Sequence, residues 1–147
     1  MIAAMLVALA LSCGLLDGFE IGHVPPGVGE QVSDFSYEWE EVRFASRVWE
    51  RRLDDGSHRV DLTVLVLRGE RLSTPAALRA FLSSYYEGDL ADAAYRLVEP
   101  GVAVVVKMDG DRFGPGELRA TAAGIRPSIC SGRREGLPHS RGPSRPG

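Results

Sequence analysis

A chain of 147 residues with 44% hydrophobic and 25% charged residues has enough material to bury a single core without disulfides or metals. That composition excludes a disordered or fibrous protein. Between Asp17 and Ile125 there are 19 acids and 12 bases, whereas Arg126 to Gly147 carries five arginines against Glu135. An acidic body with a basic tail argues against a large phosphate-binding face, which needs clustered cations, so nucleic acid is not an expected partner.

The chain opens with MIAAMLVALALSCGLL, uncharged in its side chains from Met1 to Leu16. As a helix it would rise about 24 Å, short of the roughly 30 Å hydrocarbon core. That length suits the apolar region of a signal peptide better than a free-standing span, although no basic residues precede it in this sequence. Ala8-Leu9-Ala10 has cleavage-site spacing, and Ala10-Leu11-Ser12-Cys13 is similar to a lipoprotein box with Leu one place late. The expectation is an exported or membrane-attached protein, with residues 1–16 as anchor. The competing reading is a cytosolic protein whose N-terminal helix completes the core. Cys13 and Cys130 are too few for a disulfide framework and leave the redox compartment open.

Residues 17–33, with GHVPPGVGEQVS, read as a Gly/Pro linker carrying a solvated His23. FSYEW then alternates Phe35, Tyr37 and Trp39 against Ser36, Glu38 and Glu40, the period of a strand with one buried face. VRFASRVWERR places Val42, Phe44 and Val48 opposite Arg43, Arg47 and Arg51. Asp55-Gly56 supplies hairpin turn residues. HRVDLTVLVLRG returns with Val60, Leu62, Val64 and Val66 facing inward and Arg59, Asp61 and Thr63 outward, while Leu65 and Leu67 mark a strand covered on both sides near its end.

STPAALRAFLSSYYEG is the clearest helix. Thr74 caps it, Pro75 occupies its first turn, Leu78, Phe81, Leu82 and Tyr85 form one stripe, and Gly88 ends it. AYRLVEPGVAVVVKM reads as a hairpin turning at Pro100-Gly101, its second strand apolar on both faces. A short helix from about Glu117 points Leu118, Ala122 and Ile125 at the sheet, and residues 128–147 read as a disordered basic tail. The order β-β-β-α-β-β-α gives an α+β domain over residues 34–127: an antiparallel sheet of about five strands with two helices packed on it.

Few residues invite chemistry. Asp109, Asp111 and Gly114 imitate the start of a calcium loop, but Phe113 and Ala120 stand where oxygen ligands are required, so a turn is expected and no metal. His23, His58 and His139 lack zinc spacing, and Ser57 beside His58 is too close in sequence to form a triad with it. Glu40/Glu41 and Asp54/Asp55 are carboxylate pairs at strand ends and turns, where solvated acids are common. No catalytic residue and no cofactor is assigned, and a small hydrolase with a site between sheet and helices is the alternative from the enzyme class. Phe35, Tyr37, Trp39, Phe44 and Trp49 concentrate the aromatics in the first two strands. Most of that set reads as core, with Tyr37, Trp39 and Trp49 as the candidate surface for an apolar ligand or a protein partner. Trp49, on the arginine face, is expected to be exposed.

The runs LVEPGVAVVVKMDGDRFGPGELRATAAGI and RVDLTVLVLRGERL resemble small uncharacterised secreted or lipoprotein-like proteins of high-GC actinobacteria, over about residues 35–127. The resemblance implies export and transfers no functional residue. The chain departs from that pattern in lacking a basic leader, in a shorter segment from Glu87 to Ala94, and in the tail after Pro127.

Overall fold

The computed structural model of the chain describes residues 14–128. Most of the apolar anchor, both cysteines, His139 and nearly all of the basic tail therefore lie outside the described residues. The elements in chain order are β1 (Phe19–Ile21), β2 (Gln31–Trp39), β3 (Val42–Arg52), β4 (His58–Arg68), α1 (Pro75–Tyr85), β5 (Ala93–Glu99), β6 (Val102–Met108), α2 (Pro115–Ala123) and β7 (Ile125–Pro127). Strands β2 to β6 form one antiparallel sheet in the order β2-β3-β4-β6-β5, and β1 pairs β7 in a separate two-stranded ribbon. The fold is α+β, as the element order indicates. Among the described residues no helix is long and apolar enough to cross a membrane.

Local chemistry accounts for the connections. The Thr74 hydroxyl accepts from the Ala77 amide at 3.1 Å, and Pro75 sits in the first turn of α1, where its missing N–H leaves no bond unmade. Gly101, with φ of +90°, supplies the left-handed residue that a turn after Pro100 requires. Glu40 and Glu41 take φ of 51° and 67° in the two-residue turn between Trp39 and Val42, a conformation unfavourable for side-chain-bearing residues.

The two helices lie on opposite faces of the sheet. Leu78, Phe81 and Leu82 of α1 join Val42, Phe44, Leu65, Leu67, Ala103 and Val105 in one buried cluster. The opposite face gathers Trp49, Leu62, Val64, Val66, Val104 and Val106 under Leu16, Phe19 and Ile125, with Leu118 and Ala122 of α2 packed against them. This double cover explains why Val102 to Val106 are buried without interruption.

The stretch read as a linker is part of the domain. Phe19 is buried, Val24 and Val28 pack on the second cluster, and β1 pairs with β7, so the folded unit includes the stretch from Leu15 to Ser33. The amide of Ser128 donates to Gly18 O at 3.0 Å. Gly29 lies so close to β3 that a β-carbon there would overlap the Glu50 carbonyl. Prolines and glycines in this stretch mark close approach to the sheet, which a composition-based reading cannot distinguish from a spacer. His23 also has a partner, with its Nε2 3.1 Å from Glu117 Oε1.

One strand departs from simple alternation. The β3–β4 register shifts at Trp49/Glu50, so that Trp49 faces Leu62 while Glu50 faces Val60, leaving Asp61 as the extra residue of a bulge. The expected inward Val60 is 44% exposed, and the expected outward Asp61 is fully buried.

Candidate functional site

Of the three aromatic residues singled out as a surface, Tyr37 and Trp39 lie together and Trp49 does not. Trp49 does share the face of Arg43 and Arg47, but Leu16, Phe19 and the segment through Val28 cover that face, leaving the indole 8% exposed in the core. The expectation that it is exposed is corrected by this second layer.

Tyr37 and Trp39 sit on β2, at the edge of the sheet, and both are half-buried beside the C-terminal half of α1. The Tyr37 ring stacks on Phe44 at 4.7 Å, and its hydroxyl lies 2.7 Å from that of Tyr85. Burial, reinforced by that hydrogen bond, pushes the Tyr37 phenol well above the usual tyrosine range. Trp39 meets Tyr85 and Phe81 edge-on, with centroids 5.1 and 5.4 Å apart. Between the β2–β3 turn and α1 is an open cleft of about 400 Å³ lined by Trp39, Phe81, Ala77, Ala80, Glu40 and Arg71. The Arg71 guanidinium stands 5.3 Å from the Phe81 ring centroid and bonds the Glu40 carbonyl at 3.2 Å. The cleft thus has an aromatic floor and one cation at its rim, suited to an apolar group with an anionic or electron-rich end.

A second, more polar cavity of about 360 Å³ opens near the distal ends of β4 and β6, between Arg59, Thr63, Asp92, Lys107, Asp109 and Asp111. Asp109 forms the expected turn: its Oδ1 accepts from the Asp111 amide at 3.0 Å, and its carbonyl accepts from Arg112 N at 3.1 Å. Its Oδ2 accepts no hydrogen bond but lies 3.0 Å from Arg59 Nε. Among the described residues no three His, Cys, Asp or Glu side chains are grouped to hold a metal ion. His58 lies at the exposed end of β4 opposite Arg52 and lines neither cavity, while the Ser57 hydroxyl donates to Asp55 at 2.6 Å. Polar side chains converge on this second cavity, but its only hydroxyl side chain, Thr63, has no histidine beside it in the lining.

The residue that sequence reasoning missed is Asp61. Its carboxylate accepts from Gly29 N at 2.8 Å, Arg51 Nε at 3.0 Å and Arg112 Nη1 at 2.6 Å. Burial works against its ionisation, but the arginines and the Gly29 amide outweigh it and hold the carboxyl below its ordinary range. This cluster joins residues 29, 51, 61 and 112 and serves as a structural clamp behind the polar cavity. Its only sequence signal was an acid in a strand otherwise filling with apolar residues, among several unpaired arginines.

No protein-family model, curated protein or solved structure matches this chain.

Proposed function

We propose that the chain is an exported or membrane-tethered domain that binds a small apolar ligand or a protein partner and performs no chemistry of its own. The observation carrying this reading is Trp39, half-exposed at an open cleft between the β2–β3 turn and α1, with Tyr37 half-exposed two residues before it on the same edge strand. Aromatic groups left at a cleft provide contact area at little entropic cost, which suits binding. Export is supported by the uncharged run from Met1 to Leu16. Arg47 Nη1 donates to Gly14 O at 2.9 Å, so a mature chain starting at Cys13 would hold the domain flush against its tether.

Two measurements test the reading. Intact mass after fractionation of a high-GC bacterial host should show a chain cleaved near Ala10, or a lipid-sized increase on one beginning at Cys13; a full-length cytosolic chain overturns export. Titration with 8-anilinonaphthalene-1-sulfonate should show saturable binding that Ala80→Glu weakens, because Ala80 is an exposed helix position at the cleft. Equal binding by both proteins overturns the cleft as the site.

A further inference from the structure

We infer that the polar cavity at the distal ends of β4 and β6 binds a free α-amino acid with an apolar side chain, Lys107 taking its carboxylate and Asp92 its ammonium. This goes beyond the binding reading and uses a different cavity.

Lys107 is the single lysine among seventeen basic residues. It stands on β6, opposite Thr63 of β4 on one side and Ala93 of β5 on the other. Its ammonium lies 4.9 Å from the Tyr86 ring centroid, and among the described residues it forms no ion pair. Asp92 immediately precedes β5, and its carbonyl accepts from Met108 N at 3.1 Å. Its exposed side chain sits against Gly110, where a β-carbon would lie 2.6 Å from Oδ1. Among the described residues that carboxylate has neither a hydrogen bond nor an ion pair. Neighbouring ladder positions point to opposite sides of a sheet, which keeps Lys107 and Asp92 from pairing with each other. Both still line the opening, because the β5–β6 ladder ends there.

The other charges of the lining are largely committed. Arg51 and Arg112 hold Asp61, while Arg59 lies 3.0 Å from Asp109 Oδ2 and 3.5 Å from Asp111 Oδ2. Asp109 Oδ2 is nevertheless buried and accepts no hydrogen bond. The cavity thus holds an ammonium without a counter-ion beside carboxylate oxygens without donors. A simple anion there would face Asp92, Asp109 and Asp111, and a simple amine would face Lys107 and Arg59. A molecule carrying both charges one carbon apart answers each with a charge-assisted hydrogen bond. The side chain follows from what adjoins these groups. A second cavity of about 180 Å³ shares Asp92, Met108 and Gly110 with the first and continues over Ala91, Phe113 and Leu118. Its apolar walls select an apolar side chain, and its small volume selects a leucine-sized one.

Titration of L-leucine into the isotope-labelled full chain, read by amide chemical shifts, tests this. Saturable shifts should centre on Asp92, Lys107 and Gly110, with a dissociation constant of about 1 mM or below. Isocaproate, which lacks the ammonium, isoamylamine, which lacks the carboxylate, and L-alanine should each bind about tenfold more weakly. Asp92→Asn and Lys107→Gln should each raise the leucine constant about tenfold. Asp92 is exposed, so its variant decides the matter even where Lys107→Gln disturbs the strand. No saturable shift up to about 20 mM leucine overturns the inference. So do shifts centred elsewhere, analogues that bind as tightly as leucine, or an Asp92→Asn chain that binds it unchanged. This cavity and the dye cleft share no lining residue, so the two proposals fail separately.

Discussion

Arg112 reaches back across the chain to Asp61, its Nη1 donating to a carboxylate that is fully buried at a strand bulge. With Arg51 on the other oxygen and the Gly29 amide beside it, this bond fastens the β6–α2 loop and the N-terminal segment to the central sheet.

Removing that carboxylate should destabilise the fold more than any other single polar change. Asp61→Ala leaves two arginines without their shared acceptor, but both are about a third exposed and water recovers part of the loss. A cost of about 2–4 kcal/mol is expected, toward the lower end for a broken buried pair. Urea denaturation of the full chain measures it, and a change under about 0.5 kcal/mol would reduce the clamp to a surface contact.

The same residue makes stability depend on acid. Because the folded-state pKa of Asp61 is depressed, its contribution is present above the ordinary carboxylate range and disappears as pH falls through the folded value. Denaturation midpoints should therefore fall on acidification, and Asp61→Asn should flatten that decline. Parallel curves for the two proteins would show that other carboxylates carry the effect.

The two tryptophans should separate cleanly in solution. Trp49 is enclosed between the sheet and the N-terminal segment, while Trp39 is half-buried at the cleft. In Trp39→Phe, the remaining Trp49 emission should be blue-shifted and poorly quenched by acrylamide; in Trp49→Phe, the remaining emission should be red-shifted and readily quenched. Trp49→Ala should cost about 3–5 kcal/mol as a core truncation. Equal quenching of the two would contradict the second layer over Trp49.

How the sequence misleads about Trp49 shows where its legibility ends. Periodicity places strands and helices because backbone geometry repeats locally, and Phe44, Leu78 and Val104 all occupy the buried positions their spacing implies. It also puts Trp49 on the correct face. What it cannot supply is the cover: Phe19 and Val24 are scattered among glycines and prolines, and β1 finds β7 more than a hundred residues away. The bulge at Asp61 is equally hidden, since one extra residue exchanges the inward and outward positions without changing composition. Tyr37 and Trp39, whose exposure depends on the position of a neighbouring helix, could be nominated as a surface only as part of an aromatic set.

The β2–β3 turn offers a stabilising change. Glu40 and Glu41 both hold left-handed backbone, and among the described residues the Glu40 side chain makes an exposed 3.5 Å contact with Arg71. Glu40→Asn with Glu41→Gly installs the residues such a turn favours and should add about 1–2 kcal/mol, read as a higher melting temperature. An unchanged or lower value would mean that the acids contribute more than their contacts indicate.

Tyr37 links the edge of the sheet to alkaline stability. Its hydroxyl shares a 2.7 Å hydrogen bond with Tyr85, and burial raises its folded pKa far above the unfolded value. A raised pKa contributes stability that is whole below the unfolded tyrosine value of about 10 and declines as pH climbs beyond it toward the folded one. Phenolate absorbance followed upward from pH 9 should therefore leave Tyr37 silent until the fold opens, and Tyr37→Phe should remove part of the alkaline loss in stability. At neutral pH that variant should cost only about 1 kcal/mol, the net worth of one hydrogen bond, because the ring remains stacked on Phe44. A cost above about 3 kcal/mol would show that the hydroxyl pair is structural and would weaken the assignment of Tyr37 to a binding surface.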